Sequence, residues 1–453
     1  MRPRIRVSHG DEKLTSHSGL VHVGTLLETS ELKHRLDSLD IHCKDPDYSN
    51  SDITFAMMGL ISIGKPDYDA IELFREKPQF FIEALGISDC PSSPTLRQRL
   101  DLIGDNANDV LKEESAALVG AKAPGVSAIE TSAGRFVPLD IDVSPFDNSR
   151  TSKEGVSRTY KGCDGYAPIF GYLGTEGYLV NLELREGSQH CQKDTPAFLK
   201  STLNYARQIT QQPILMRLDS GNDSADNFPG SEHPNVHFII KRNLRRESPC
   251  AWAELAKKVG HEKRCRDGKR VWIGSTRVGI NGQPLACPIV FEITERSSKR
   301  GQLLIVPEIE VDTYWYDMEQ LEPEEIIKLY HDHGTSEQYH SEIKTDLDLE
   351  RLPSRYFSTN HLMLHLGMMV YNILRIVGQQ SLEELNSNEP LPKPRQKKVK
   401  RRRIKTVMQD LIYMAGRLIH TGRQWFISFG QLNPLAELWE RIDNRLRAGL
   451  DTG

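Results

Sequence analysis

No stretch of the 453-residue chain is apolar over the ~20 positions that a membrane helix needs, so no membrane partner is expected. The opening residues, MRPRIRVSHGDEKLTSHSGL, lack an apolar signal core, which predicts a cytoplasmic protein. There is no Cys-x-x-Cys pair. The seven cysteines are scattered at 43, 90, 163, 191, 250, 265 and 287 and support neither a zinc ribbon nor a disulfide framework. No repeat recurs at a fixed period. The chain also lacks an overall positive charge: 58 Lys and Arg stand against 62 Asp and Glu, a net charge of −4.

What is present is basic charge in restricted places. Nine of the thirteen residues from Lys393 to Lys405 (KPRQKKVKRRRIK) are Lys or Arg, among them Lys398, Arg401 and Arg402. A second basic region runs from Lys241 to Arg246 and on through Lys257, Lys258 and residues 263–270. Local basic patches on an acidic chain imply a polyanion bound at defined positions. Hydrophobic content of 38% is enough for real cores, and the length asks for two to four structural units.

Periodicity divides the chain. Helical patterns fill residues 25–123, including 79–86 and 95–104 around the linker DCPSSP, with Ser93 as N-cap and Pro94 at the first helical position. Helix, short linker, helix with Arg97 and Arg99 outward is a helix-turn-helix layout, and two plainly packed helices fit equally. At Arg135 the period changes to that of strands: 136–143, 165–174, 177–187, then a helix at 195–209 opened by Asp194, then strands at 214–218 and 235–243. Three strands, a helix and two strands is the order of an RNase H-like core. Strands at 270–274, 288–294, 302–311 and 313–317 form a β-rich insertion, and 360–378 is a strongly apolar helix.

Between them, residues 321–355 read as one helix opened by Pro323. Tyr330, His333, Glu337 and Lys344 then share a face. A carboxylate on an inward face is costly unless a cation meets it. Asp142 on the first strand and Asp219 at the exit of the fourth complete a set of three acidic groups from separate elements. Asp140 lies on the same side of its strand as Asp142, and Asp147 is close by. Three such carboxylates hold two divalent cations about 4 Å apart, and oxygen donors favour Mg²⁺ or Mn²⁺ over zinc.

These residues resemble a DDE transposase of the bacterial insertion-sequence, cut-and-paste type. The spacing Tyr330-x2-His333-x3-Glu337-x6-Lys344 is similar to the branch marked by Tyr-x2-Arg-x3-Glu-x6-Lys, with histidine in place of arginine. LDIDVSPFDNS and LMRLDSGND resemble the same branch, and Asp142-x-Ser144 matches its Asp-x-Thr/Ser, which favours Asp142 over Asp140.

The resemblance implies an α/β fold: an RNase H-like core with a β-rich insertion, plus helical N-terminal and C-terminal regions. By segment it implies a helical DNA-binding region (1–130), the core's first part (131–243), the insertion (244–317), the core's second part with the glutamate helix (318–378), and a basic linker with a C-terminal region (379–453). It implies Asp142, Asp219 and Glu337 as ligands of two Mg²⁺ ions, with Mn²⁺ able to substitute. Tyr330, His333 and Lys344 would meet DNA phosphates; Trp315 and Trp272 are candidates to stack a flipped base, and a buried sheet tryptophan is the alternative for each. The partners would be double-stranded DNA, as inverted-repeat ends and target, and a second copy of the chain. The reaction would be end cleavage and strand transfer, by way of a hairpin, in a bacterial cytoplasm at the nucleoid. A metal-dependent nuclease on the same core and a non-catalytic DNA-binding derivative are the alternatives. His333→Ala is expected to cost more activity than His340→Ala.

Overall fold

The computed structural model describes residues 7, 10–43, 47–230, 233–263, 267–299, 302–388, 399–422 and 424–448. The chain forms two compact units: residues 125–341 make one, and residues 1–124 with 342–453 make the other.

The central unit is built on a mixed sheet. Its strands are β1 (Gly134–Val143), β2 (Ile169–Leu173), β3 (Tyr178–Glu183), β4 (Ile214–Leu218), β5 (Val236–Arg242), β6 (His261–Lys263), β7 (Lys269–Val278), β8 (Pro284–Lys299) and β9 (Gln302–Tyr316). The spatial order is β6-β7-β8-β9-β5-β4-β1-β2-β3, with Ile129–Thr131 added beside β1. β1, β4 and β5 run parallel, and the remaining neighbours are antiparallel. The stretch expected as an insertion therefore extends the same sheet, because the end of β9 pairs with β5 from Ile239↔Tyr316 to Arg242↔Thr313. The two strands expected at 302–311 and 313–317 are one continuous strand.

β1 alternates with a period of two, so its odd and even residues face opposite layers. Val137, Leu139, Ile141 and Val143 pack with Phe198, Leu199, Leu203 and Ala206 of helix α1 (Thr195–Ile209). Burying each large side chain of that layer contributes about 1.5–3 kcal/mol. The even face belongs to a second layer, in which Phe136, Leu215, Ile239 and Tyr314 meet Ile326, Ile327 and Leu329. Asp140 and Asp142 thus emerge on this second face. Helix α2 (Pro249–Val259) covers β7 and β8 through Trp252, Ala253 and Ala256. Asp194 does not cap α1 as expected: it adopts a left-handed φ of 63°, and its side chain makes no capping bond.

The expected single helix over 321–355 is broken. Helix α3 (Pro323–His331) gives way to a 3-10 turn (Asp332–Thr335) and then the short helix α4 (Ser336–Ser341). The carbonyl of Leu329 is held by Arg217 at 2.6 Å, and Gly334, a poor helix former, follows in the turn. The face arithmetic drawn for one regular helix does not carry across that turn.

The other unit is mainly helical. Its longest helix, Phe357–Asn388, runs beyond the expected 360–378. By length and hydropathy its Phe357–Leu385 part would suit a membrane, but 94% of its most apolar window is buried inside the fold. Asn50–Ser62 opens with a capping box between Ser49 and Asp52. Ser93–Ile103 is capped by Ser92 rather than Ser93, with the Ser92 side chain accepting from the Thr95 N–H.

Candidate active site

Asp140 and Asp142 point the same way from β1; Arg217 lies on the neighbouring parallel strand β4, and Asp219 directly follows that strand. The register pairs Asp140 with Arg217 and Ile141 with Leu218. Parallel alignment therefore delivers Asp142 and Asp219 side by side at the carboxyl ends of two adjacent strands.

The acidic groups have different surroundings. Asp140 is 2% exposed. Arg217 grips it with a two-pronged fork, Nε donating to Oδ1 at 2.6 Å and Nη2 to Oδ2 at 2.8 Å. Burial pushes the Asp140 carboxyl up, but Arg217 and His333 outweigh it and hold it below its ordinary value. The Asp140 charge is thus met within the protein by Arg217. Asp142 accepts from Val143 N–H at 2.8 Å and meets His340 Nε2 at 3.1 Å. It too is raised by burial and brought below its ordinary value by His340.

Asp219 is the opposite case. Burial and the charge of Asp142 raise its carboxyl, although Asn222 Nδ2 donates at 2.7 Å and Gly221 N–H at 3.1 Å. Two carboxylates that repel each other at the ends of two neighbouring inner strands are a setting that a cation would relieve.

Aromatic hydroxyls and a thiol surround the pair. Tyr330 is raised above the usual tyrosine range by burial and then by Asp219 and Asp142. Tyr160 has a largely exposed ring, but its hydroxyl donates to Val143 O at 3.2 Å and is raised by burial and the same two aspartates. The Cys191 thiol donates to Gly221 O at 2.7 Å and is raised by burial and by Asp219. His340 passes the network on, its Nδ1 lying 3.1 Å from the Tyr172 hydroxyl.

A profile for the family described as Transposase DDE domain group 1 matches residues 1–449. The chain belongs to that family. No curated protein matches the chain. Among solved structures it is similar to a piggyBac transposase synaptic complex with hairpin DNA, at 10% identity and a TM-score of 0.46, over 97% of this chain and 82% of that one.

In this DDE transposase-family chain the residues expected at the site are placed unequally. Asp142, Asp219 and Tyr330 come together. Glu337 is exposed on the first turn of α4, and among the described residues no three of His, Cys, Asp and Glu are grouped closely enough to hold a metal ion. His333 is 6% exposed, with Nδ1 3.0 Å from Asp140 Oδ1 in an ion-pair approach rather than a well-aligned hydrogen bond. It is turned inward, not displayed to a phosphate. Lys344 lies in the helical unit, 3.7 Å from Glu350 Oε1.

Several residues expected at a DNA surface have other partners. Arg97 is exposed and lines a cavity of about 440 Å³ with Asp101, Ser354, Arg355 and Tyr356. Arg99 is buried instead of exposed, bonded to Asn50 Oδ1 at 2.8 Å, because the Ser93–Ile103 helix turns that face to the core. Arg401 donates to Glu342 Oε1 at 2.8 Å, and Arg402 pairs with Asp410 and donates to Ser381 Oγ at 3.0 Å. Internal carboxylates therefore take up the end of the basic run. Lys398 lies outside the described residues. Trp315 is half-buried, its Nε1 donating to Asp223 Oδ1 at 2.8 Å under the Arg242 guanidinium, and Trp272 is a core residue of the α2 layer.

Sequence reasoning did not pick out Arg217, Tyr160 or Cys191 as site residues, and it used His340 only as a control. For His340 a signal was available: it lies three positions after Glu337, one helical turn along the same segment.

Proposed function

We propose that the chain is an active transposase that binds the inverted-repeat ends of a mobile element, cleaves them with divalent metal and joins the freed end to a target. The observation that carries this reading is the pairing of Asp142 with Asp219 at the ends of β1 and β4, with Asp140 withdrawn by Arg217. The strand order β3-β2-β1-β4-β5, with β1, β4 and β5 parallel, supports an RNase H-like core within the larger sheet.

The donor set suits a hard cation. Asp142 and Asp219 offer oxygens only, and the raised Asp219 marks the charge that a cation would offset. Glu337 is the third ligand in this reading, which requires α4 to turn its exposed carboxylate inward. When bound, Mg²⁺ or Mn²⁺ would supply positive charge to the attacking and leaving oxygens of an in-line displacement. The chain's own residues orient and insulate: His340 holds one face of Asp142, the Asn222 amide fixes Asp219, and Tyr330 and Tyr160 flank the pair. Double-stranded DNA, a second copy of the chain and a hairpin intermediate belong to the same proposal.

The test is incubation with a short duplex carrying the repeat that flanks the gene, with and without Mg²⁺, resolved on a denaturing gel. Asp219→Asn and Glu337→Gln should bind the duplex and fail to cut it. Cutting by either variant overturns the site assignment. Cutting by the native chain without any joined product favours a nuclease on this core.

A further inference from the structure

The buried Asp140–Arg217 pair has no part in the chemistry above, yet it is an expensive feature. Burying an ion pair this deep carries a desolvation penalty that a hydrophobic pair would not incur, so its presence asks for a specific role. Its third contact suggests one. The last four carbonyls of a helix have no partner within it. Arg217 Nη1 satisfies that of Leu329, near the end of α3, at 2.6 Å. The cationic fork also suits the negative end of the helix. One guanidinium thus joins β1, β4 and the end of α3. Asp140 Oδ1 then meets His333 four residues further on, at 3.0 Å. Beyond α4, His340 closes onto Asp142 and Tyr172, each at 3.1 Å. Glu337 sits between two histidines that are both held by carboxylates of β1.

We propose that Arg217, through its fork on Asp140 and its cap on Leu329, is a positioning residue that sets where the Glu337 segment stands relative to Asp142 and Asp219. The role of Glu337 rests on the transposase reading; the anchoring of residues 329–341 does not. Lysine at 217 would keep the charge but could not make the fork and the cap together.

Two measurements on the full chain test this. In Arg217→Lys, amide exchange across 329–341 should quicken about tenfold or more while β1 and β4 keep their protection. Asp140→Asn, which keeps the side-chain size, should do the same. Mn²⁺ titration by calorimetry should show about tenfold weaker binding in Arg217→Lys, and no further loss when the change is made in Glu337→Gln. Unchanged exchange, or acceleration spread evenly over the whole sheet, overturns the anchoring. Equal Mn²⁺ losses in both backgrounds overturn the action through Glu337. If the native chain and Asp142→Asn both bind no Mn²⁺, the functional reading fails along with the role given to Glu337, and exchange alone still decides the anchoring.

Discussion

Arg375→Met in the helical unit should unfold that unit at a markedly lower temperature. Glu342 and Arg375 are 1% and 0% exposed, and their side chains pair directly. Glu342 also accepts from Arg401 Nη1 at 2.8 Å, Tyr371 OH at 3.2 Å and Ile404 N–H at 3.3 Å, while Arg375 Nη1 donates to Arg402 O at 2.7 Å. Methionine fills the space of the arginine stem but leaves the carboxylate with one cation. Breaking a buried pair on one side costs about 3–5 kcal/mol. Arg401 remains, so the lower end, ~3 kcal/mol, applies. For a unit of this size that is about 6–12 °C in Tm, at about 2–4 °C per kcal/mol. Glu342→Gln takes a buried carboxylate away from two guanidiniums and should cost a similar amount. The double variant Glu342→Gln/Arg375→Met should lose clearly less than the two single losses together, because the Glu342–Arg375 pair is then removed from both sides and only Arg401, nearer the surface, loses the carboxylate. Urea denaturation and calorimetry of all four proteins measure this. A loss below about 1 kcal/mol for Arg375→Met, or simple additivity, would refute the reasoning. Arg445 with Glu383, an exposed pair at 3.2 Å, is the control and should contribute only about 0–1 kcal/mol.

Two further outcomes follow from the same geometry. Burial raises the Asp52 carboxyl, but bonds from Ser88 and Ser49 outweigh it and hold it below its ordinary value. Its contribution is therefore complete above the unfolded carboxylate value of about 3.9 and is lost as pH falls through the lower folded value, so Asp52→Asn should flatten the acid limb of a stability-versus-pH curve. An unchanged limb would mean that the capping box carries no such linkage. At the candidate active site, His340→Ala frees one oxygen of Asp142 and, on the proposed function, should reduce cleavage more than His333→Ala, reversing the order drawn from the sequence; full activity in His340→Ala would show that Asp142 needs no such support.

Local pattern was enough for much of this chain. Period-two alternation located β1, the apolar run 214–218 located β4, and the 3.6-residue rhythm bounded α1 at 195–209, because each element must bury one face wherever it sits. The motif spacing around Asp142, Asp219 and Glu337 pointed to the family before any coordinate. What sequence could not settle was which polar groups consume one another. The Asp-x-Ser match favoured Asp142 over Asp140, but the reason the two differ lies in the parallel register of β1 with β4, which brings Arg217 onto Asp140 and leaves Asp142 beside Asp219. The basic run read as a surface until Glu342 and Asp410 claimed Arg401 and Arg402 from far along the chain or across a turn. Charge is counted residue by residue, but whether it faces a partner or a solvent-free core depends on contacts between positions separated along the chain, and those exist only once the chain has folded.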